Sequence, residues 1–287
     1  MSNNQKITFV GPGAMAEGMI HGLLLRNVAN PENVTAAGPR IERLNELVDC
    51  YGIKVNLDNS SAAKEADVVI LSIKPQRLDR VLDGLRGSIN QRALVLSIVA
   101  GASIDKISTG LNHKIIVRSM PNTPAQIGKG ITVWTASPSV TESQQEMTRR
   151  ILGALGEEVF VEEEYYLDMA TALSGTGPSY VFLFMEAMVD SGVHLGFPRR
   201  LAEQLVAQTV RGSVDYYLKR DDPVHLARLR NEVTSPGGTS AAAIYYLEKA
   251  GFRTAISRAI WAAYVRSQEL GEDAKSRPPD QALSQSE

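Results

Sequence analysis

The stretch that decides the fold is Ile7-Thr8-Phe9-Val10-Gly11-Pro12-Gly13-Ala14-Met15-Ala16, near the start of the 287-residue chain. The apolar run ending at Val10 predicts a buried strand, and the residues from Ala14 onward predict an amphipathic helix. The glycines between them follow the pattern G-x-G-x-x-A, which permits a tight turn, a close approach of backbone to a pyrophosphate, and tight packing of helix on strand. The helix N-terminus offers free N–H groups to phosphates. The stretch therefore predicts a dinucleotide-binding domain rather than a merely structural turn.

The first half of the chain alternates short apolar runs with helix-like stretches, which is the pattern of βαβ units. Most of the runs are continuously apolar, as expected of parallel strands that are covered on both faces. The predicted strands are Ile7–Val10, Val34–Ala37, Val68–Ile73, Leu94–Val99, Ile115–Arg118, Ile131–Thr135 and Val159–Val161. The predicted helices are Ala14–Arg26, Ile41–Tyr51, Arg77–Leu85, Ser103–Thr109 and a helix that begins at the N-cap Thr141 and ends near Leu155.

The second half of the chain has a different residue pattern. From Asp168 to Gln268 the chain has helical periodicity and no predicted strand, with interruptions at Ser174–Pro178 and Thr234–Ser240. The predicted fold class is α/β, with an N-terminal Rossmann-type doubly wound sheet followed by an all-α C-terminal domain. We expect an NAD(P)-binding domain at residues 1–163, a helical substrate and dimerisation domain at 164–271, and a polar, disordered tail at 272–287.

Composition excludes several classes of function. The net charge of −2 gives no reason to expect nucleic acid or an anionic membrane as a partner, and no apolar run is long enough to cross a bilayer. The single cysteine, Cys50, forms no internal disulfide or metal cluster, and we expect it to be buried late in a helix. These features predict a cytoplasmic protein without a metal site. The scattered histidines are expected at surface or helix positions: His21, His113, His194 and His225.

The segment Ala36-Ala37-Gly38-Pro39-Arg40 bears on the choice of nicotinamide cofactor. NAD-specific sites place Asp or Glu at the end of this strand to bind the ribose hydroxyls, and the segment has neither. Arg40, with Arg43 close by, offers a charge-assisted bond to a 2′-phosphate. We therefore predict NADP(H) as the preferred cofactor and NAD(H) as the alternative. The competing interpretation is that both arginines are solvated helix residues.

Further loops follow strands at the edge of the sheet where ligands bind in such folds. Three of these loops contain small residues, Pro or Gly, and together they predict one wall of a binding site for a flat ring. They are Ser72–Pro75, Val99–Gly101 and Met120–Pro124. In the second half, the segment Pro236–Ser240 predicts a loop that caps a helix. Its exposed N–H groups would be suited to binding a carboxylate. A plain helix cap is the alternative interpretation of this loop.

The stretch Val233-Thr234-Ser235-Pro236-Gly237-Gly238-Thr239-Ser240 closely resembles the signature of pyrroline-5-carboxylate reductases, the last enzymes of proline synthesis. The resemblance runs in order, with few gaps, from about Lys6 to Leu270. It is also carried by Leu173–Tyr180, Gly196–Arg200, Gly251–Arg253, Lys74-Pro75 and Asn122–Pro124.

This resemblance implies NAD(P)H-dependent reduction of the C=N bond of 1-pyrroline-5-carboxylate to L-proline, by a homodimer or a higher homo-oligomer built from dimers. Gly238, Thr239 and Ser240 would hold the substrate carboxylate, and the Ser240 hydroxyl, where the family usually has threonine, is the candidate proton donor. The resemblance assigns cofactor contacts to Gly11, Gly13, Ala14, Met15, Asn59, Ser72, Ile73, Lys74, Pro75 and Ala100, to which the argument above adds Arg40.

The chain departs from the family pattern ahead of this signature. Asn231 stands where the family usually has Asp, Glu232 follows it, and the stretch Pro223–Glu232 is longer than usual. We expect Glu232 to be a substrate-binding residue, and a reductase for a different cyclic imino acid is the alternative function. The exact imine, the oligomer size, feedback by proline and strict NADPH or NADH preference stay open.

Two rival functions come from other classes. A β-hydroxyacid dehydrogenase needs a lysine on the helix after the glycine-rich turn, and residues 179–184 contain none. A non-catalytic NADP(H)-binding regulator is disfavoured by the intact Pro236–Ser240 loop. The acidic run Glu162-Glu163-Glu164 is expected to be a solvated hinge. The apolar stripe within Ala255–Val265 is expected to be core, with part of it at a dimer interface: Ile256, Ile260, Trp261 and Tyr264.

Overall fold

The computed structural model of the chain describes residues 4–220 and 224–271. They fall into two units: one runs to Thr176 and takes in the residues from Ala263 onward, and the other is Gly177–Ala262. The first unit contains a sheet with helices on both faces and the second is helical, so the predicted fold class is confirmed. The predicted boundary at 163/164 stays a prediction about the functional division. The predicted disordered tail, 272–287, lies outside the described residues, as does Pro223.

The first unit contains an eight-stranded sheet in the order β3-β2-β1-β4-β5-β6-β7-β8. Neighbouring strands are parallel except for β6 and β7, which are antiparallel. The register sets Ile7 of β1 beside Val34 of β2 and Val68 of β4. The strands are β1 Ile7–Val10, β2 Val34–Ala37, β3 Lys54–Asn56, β4 Val68–Leu71, β5 Leu94–Ser97, β6 Ile116–Met120, β7 Gly130–Ala136 and β8 Gly156–Phe160.

Alternate residues of the buried strands supply two separate cores, because successive side chains point to opposite faces of the sheet. Phe9 and Ile70 pack on one face with helices α1, α2 and α6, whereas Val10 and Leu71 pack on the other with α3, α4 and α5. Both faces are therefore covered. These helices are α1 Ala14–Leu25, α2 Ile41–Tyr51, α3 Asn59–Lys64, α4 Leu78–Leu85, α5 Ile104–Leu111 and α6 Glu142–Gly153.

Several predicted bounds shift for local reasons. The strand predicted to reach Ile73 ends at Leu71, because Ser72 turns to bond the end of β1. The strand predicted to reach Val99 ends at Ser97, whose hydroxyl accepts a hydrogen bond from the Val99 amide at 3.2 Å. The N-cap at Thr141 is confirmed and forms a capping box with Gln144. Strand β3 and helix α3 were not predicted.

The remaining helices follow the sheet. The first unit continues through α7 (Tyr166–Ala170) and a π-helical turn, Thr171–Gly175, which overlaps the start of the interruption predicted at Ser174–Pro178. In the second unit, α8 and α9 pack through Val189, Ala202 and Val206. None of the helices in the described ranges is long and apolar enough to cross a membrane. The other helices are α8 Gly177–His194, α9 Arg199–Leu218, α10 Leu226–Glu232, α11 Thr239–Lys249 and α12 Phe252–Gly271.

Three expectations about individual side chains are wrong. Cys50 is exposed rather than buried. His113 is only 2% exposed, because it lies beneath the loop before β5 with its Nε2 atom 2.8 Å from the Ala93 carbonyl oxygen. Glu164 is not part of a solvated hinge: its Oε1 atom accepts hydrogen bonds from the Ile104 amide at 2.8 Å and from Arg118 at 2.9 Å.

The apolar stripe on α12 is not core within one chain. Trp261 is 67% exposed, and Ile256, Ile260 and Tyr264 are half-buried. Helical periodicity identifies one apolar face but does not say whether the same chain or another copy covers it. The interpretation of this stripe as core is therefore wrong for the single chain.

Candidate functional site

The glycine turn after β1 has the geometry that the sequence pattern requires. Gly11 has a φ of +97°, and a Cβ there would lie 2.5 Å from Cγ2 of Ile73. Gly13 is the N-cap of α1, so no side chain caps the first-turn amides. A Cβ on Gly13 would meet no atom within 4 Å. The helix N-terminus and its amides therefore face open space that can accept a phosphate, with Ala14 and Met15 as the first helical residues.

Ser72 ties the turn to the neighbouring strand. Its hydroxyl oxygen lies 3.1 Å from the Val10 carbonyl and 2.9 Å from the Gly11 carbonyl, within donating distance of both. Ile73, Lys74 and Pro75 follow directly, and Lys74 is exposed where a short 3₁₀ turn begins. Ser72 thus positions the turn through the hydrogen bond that its hydroxyl donates. The lone pairs of the hydroxyl oxygen stay available to accept hydrogen bonds from other partners.

Ala100 and Asn59 follow two other strands of the sheet. Ala100 is half-buried in the β5–α5 connection, next to Gly101, which has a φ of +72°. Asn59 opens α3 after the N-cap Asp58, and its Oδ1 atom is buried without a hydrogen-bond partner among the described residues. A buried carbonyl oxygen without a partner is costly, so this amide is a candidate for a bound ligand group.

The two arginines after β2 behave differently. Arg40, at the N-cap of α2, is exposed, and its side chain bonds no residue of the described ranges. Arg43 donates from Nε to the Pro12 carbonyl at 3.0 Å and forms ion pairs with Glu17 and Glu46. Its hydrogen bond and charge hold the pKa of the Glu17 carboxyl below the usual value. The interpretation of both arginines as solvated helix residues is therefore wrong for Arg43.

The loop before α11 presents a second set of backbone amides. Gly237 has a φ of +72°, and Gly238 is the N-cap of the 11-residue helix α11, so no side chain caps the amides that follow. A Cβ on Gly238 would lie 2.5 Å from Oγ of Ser235, so a larger residue there would require the Ser235 side chain to move. Thr239 and Ser240 are the first helical residues, and no residue in 4–220 or 224–271 hydrogen-bonds the Ser240 hydroxyl.

Glu232 lies at the end of α10 in an ion-pair cluster. Its carboxylate accepts from Arg220 at 2.8 Å and lies 3.3 Å from Nε of Arg228. Arg220 also covers the ring of Tyr216, 4.7 Å from the ring centroid. Two arginines thus already compensate the charge of Glu232. The Glu232 carboxylate forms no hydrogen bond with Gly238, Thr239 or Ser240.

Comparisons with known proteins match most of the chain. A family model described as pyrroline-5-carboxylate reductase dimerisation matches residues 164–270, and one described as NADP oxidoreductase, coenzyme F420-dependent, matches residues 6–101. The chain is 42% identical over 266 residues to the pyrroline-5-carboxylate reductase of Synechocystis sp., covering 93% of this chain and 98% of the relative. The chain belongs to the pyrroline-5-carboxylate reductase family.

Other members of this family agree with that assignment. The pyrroline-5-carboxylate reductase of Arabidopsis thaliana is 34% identical over 268 residues, which are 93% of this chain and 96% of the relative. The solved structure of a Plasmodium falciparum pyrroline carboxylate reductase with NADP bound superimposes with a TM-score of 0.87 at 31% identity, over 95% of this chain and all of that one. A Coxiella burnetii pyrroline-5-carboxylate reductase has a TM-score of 0.84 at 33% identity, over 94% of this chain and 100% of that one.

The structure brings the predicted cofactor residues of this family member to one edge of the sheet. The turns after β1, β2, β3, β4 and β5 carry them, and the carboxyl ends of parallel strands meet at the same edge. Their contacts with cofactor stay predictions. The sequence did not predict that Arg43 bonds the Pro12 carbonyl. It also did not predict the role of Gly38, where the absence of a Cβ leaves room for the Pro12 ring. No sequence pattern joins Arg43 to a carbonyl 31 residues earlier.

Proposed function

We propose that this chain reduces the C=N bond of 1-pyrroline-5-carboxylate to L-proline with NADPH, the last step of proline biosynthesis. The observation that carries the proposal is the 42% identity over nearly the whole length of a pyrroline-5-carboxylate reductase. A hydride goes to the imine carbon and a proton to the ring nitrogen, so NADPH, the imine and one proton give NADP⁺ and proline.

NADP(H) is the preferred cofactor, with NAD(H) as the alternative, and the residues present fit it. The open space before α1 takes the pyrophosphate, and the exposed guanidinium of Arg40 pairs with the 2′-phosphate. The segment that ends β2 has no carboxylate to bind the ribose hydroxyls of NAD or to repel that phosphate. The nicotinamide supplies the hydride.

The amides at the start of α11 bind the substrate carboxylate in this proposal. Thr239 and Ser240 present N–H groups at the positive end of an 11-residue helix, where an anion is favoured. Gly238 stays a predicted carboxylate contact, and its amide donates to the Ser235 carbonyl at 3.1 Å in the structure. The Ser240 hydroxyl donates a hydrogen bond to the imine nitrogen. It either supplies the proton that this nitrogen gains or keeps that proton in place, because a protonated imine accepts hydride best. Glu232 stays a predicted substrate-side residue. Because Glu232 pairs with Arg220 and Arg228, it acts on the substrate indirectly, by stabilising the end of α10.

Kinetics on substituted enzymes test this proposal. Ser240→Ala should lower kcat/KM about 100-fold, which is the low end of what a positioned proton donor contributes. Ser240→Thr is the matched control, because it keeps a hydroxyl where the family usually has threonine, and it should retain activity within a few-fold. Full kcat/KM in Ser240→Ala would remove the proton-donor role. NADPH oxidation that is independent of added imine would remove the proposed function.

A reductase for a different cyclic imino acid is the second candidate. It is favoured by Asn231 and Glu232, which depart from the family pattern just before the signature loop. Comparing five-membered with six-membered cyclic imino acids as substrates distinguishes the two. A higher kcat/KM for the six-membered ring would favour this candidate, and binding of NADPH without turnover of any imine would favour a non-catalytic regulator.

The helical unit also supports the proposed homodimer, or a higher oligomer built from dimers. Only Val189, Ala202 and Val206 are buried apolar residues among the described residues of Gly177–Ala262. A unit of this size needs a larger core than that to fold. Large apolar side chains of the unit are instead exposed, among them Phe182, Leu183, Leu195, Leu218, Tyr246 and Trp261. A second copy that covers them would complete the core, and we propose a cytoplasmic location for the assembly.

A further inference from the structure

Pro12, the middle residue of the glycine turn, is held from two sides by the segment that follows β2. Its carbonyl oxygen accepts from Nε of Arg43 at 3.0 Å. Its ring packs on Gly38, where a Cβ would lie 2.6 Å from Cδ and 3.1 Å from Cγ of Pro12. The backbone adds a third connection, because the Gly11 amide donates to the Ala37 carbonyl at 2.9 Å.

Each nitrogen of the Arg43 guanidinium has a hydrogen-bond partner in this arrangement. Nε bonds Pro12, one terminal nitrogen bonds Glu46 at 2.8 Å, and the other bonds Glu17 of α1. Glu17 also accepts a hydrogen bond from Tyr51 at 3.2 Å, so both of its carboxylate oxygens are occupied. The Arg43 side chain is 20% exposed. Three of its five N–H groups are thus engaged within the chain, whereas the exposed Arg40 side chain has no hydrogen-bond partner among the described residues.

We propose that Arg43 is a positioning residue that, together with Gly38, fixes the Gly11–Gly13 turn in the shape that binds the cofactor pyrophosphate. The proposal rests on the proposed NADP(H) site and deepens it. Arg43 acts through Pro12 on the part of the cofactor that NADPH and NADH share. Arg40 acts directly on the 2′-phosphate that distinguishes them.

Direct binding of NADPH and of NADH, measured by calorimetry without substrate, separates these roles. Arg43→Met should raise both dissociation constants about tenfold and leave their ratio within about twofold, because it removes one charge-assisted hydrogen bond to the turn. Arg40→Ala should raise the constant for NADPH about tenfold and leave that for NADH unchanged. Arg266→Met, which removes an arginine from an exposed pair with Glu269, is the control and should change neither constant.

Gly38→Ala tests the same proposal without touching the arginine. The new Cβ displaces the rigid ring of Pro12, so both dissociation constants should rise together. Gly84→Ala is the matched control, because a Cβ there meets no atom within 4 Å. If Arg43→Met folds poorly, as shown by its melting temperature, Gly38→Ala decides the question.

Hydrogen exchange of the cofactor-free protein gives a readout that a role in overall stability would not move. The Gly13 amide donates to the Gly11 carbonyl at 2.8 Å, so its exchange should accelerate in Arg43→Met while that of buried strand amides does not. The proposal is overturned if Arg43→Met leaves both dissociation constants unchanged, or weakens NADPH at least tenfold more than NADH. These measurements use no imine, so failure of the proposed reductase activity would be seen separately.

Discussion

Replacement of Arg118 by methionine should strongly destabilise the first unit. Arg118 lies on β6 and its side chain is 5% exposed. It donates to Glu164 at 2.9 Å and to Asp168 at 2.8 Å, and Asp168 also accepts from the Ser267 hydroxyl at 2.9 Å. The cluster therefore joins the central sheet, the segment after β8 and the end of α12. Methionine keeps most of the apolar volume and removes all of the charge.

The size of the effect follows from the burial of the partners. Removing one member of a buried ion pair costs about 3–5 kcal/mol, because it leaves the other charge unpaired. Here Glu164 keeps the Ile104 amide and Asp168 keeps Ser267, and their side chains are 33% and 19% exposed. Water and these donors offset part of the loss, which places the cost near 3 kcal/mol. At about 2–4 °C per kcal/mol for a unit of this size, the melting temperature should fall by about 6–12 °C.

Thermal unfolding followed by circular dichroism at one fixed protein concentration measures this fall. Arg266→Met is the control, because its pair with Glu269 is exposed and such pairs contribute little. Its melting temperature should change by less than about 2 °C. A change of that size or smaller in Arg118→Met would refute the reasoning. It would mean that the Glu164 and Asp168 carboxylates are solvated well enough to need no arginine.

Two further predictions concern burial. Burial lowers the pKa of His113 below its usual value, so the unfolded chain binds more protons as the pH falls through about 6.5 and stability drops there. His113→Gln should therefore flatten the dependence of melting temperature on pH between about 7.5 and 5.5. A slope equal to that of the unsubstituted protein would contradict this assignment. Trp261→Glu should weaken self-association at least about 30-fold in sedimentation, whereas Leu57→Glu in the first unit should leave it unchanged. An unchanged association constant for Trp261→Glu would exclude this face of α12 from the dimer interface.

The sequence predicted most of the sheet, because fully buried parallel strands appear as continuous apolar runs. β1 and β2 begin and end where that pattern predicts. β3 was missed because Lys54–Asn56 is short and only partly buried. α3 was missed for a similar reason: six residues capped by Asp58 are too few to show helical periodicity.

The sequence predicted the glycine turn and its likeness to a known family but not how the turn is held. A glycine with positive φ leaves a sequence pattern, and Gly11 follows it. The bond from Arg43 to Pro12 depends on where α2 packs, which no local pattern encodes. The burial of His113, the exposure of Cys50 and the pairing of Arg118 are long-range outcomes of the same kind.

Transfer of label from the cofactor tests the central claim most directly. The purified protein is incubated with 1-pyrroline-5-carboxylate and NADPH that carries two deuterium atoms at C4 of the nicotinamide. The proposed function predicts L-proline with one deuterium at C5, the carbon of the former C=N bond, in equal amount to the NADPH oxidised. Proline without deuterium, or NADPH oxidation without proline, would contradict it.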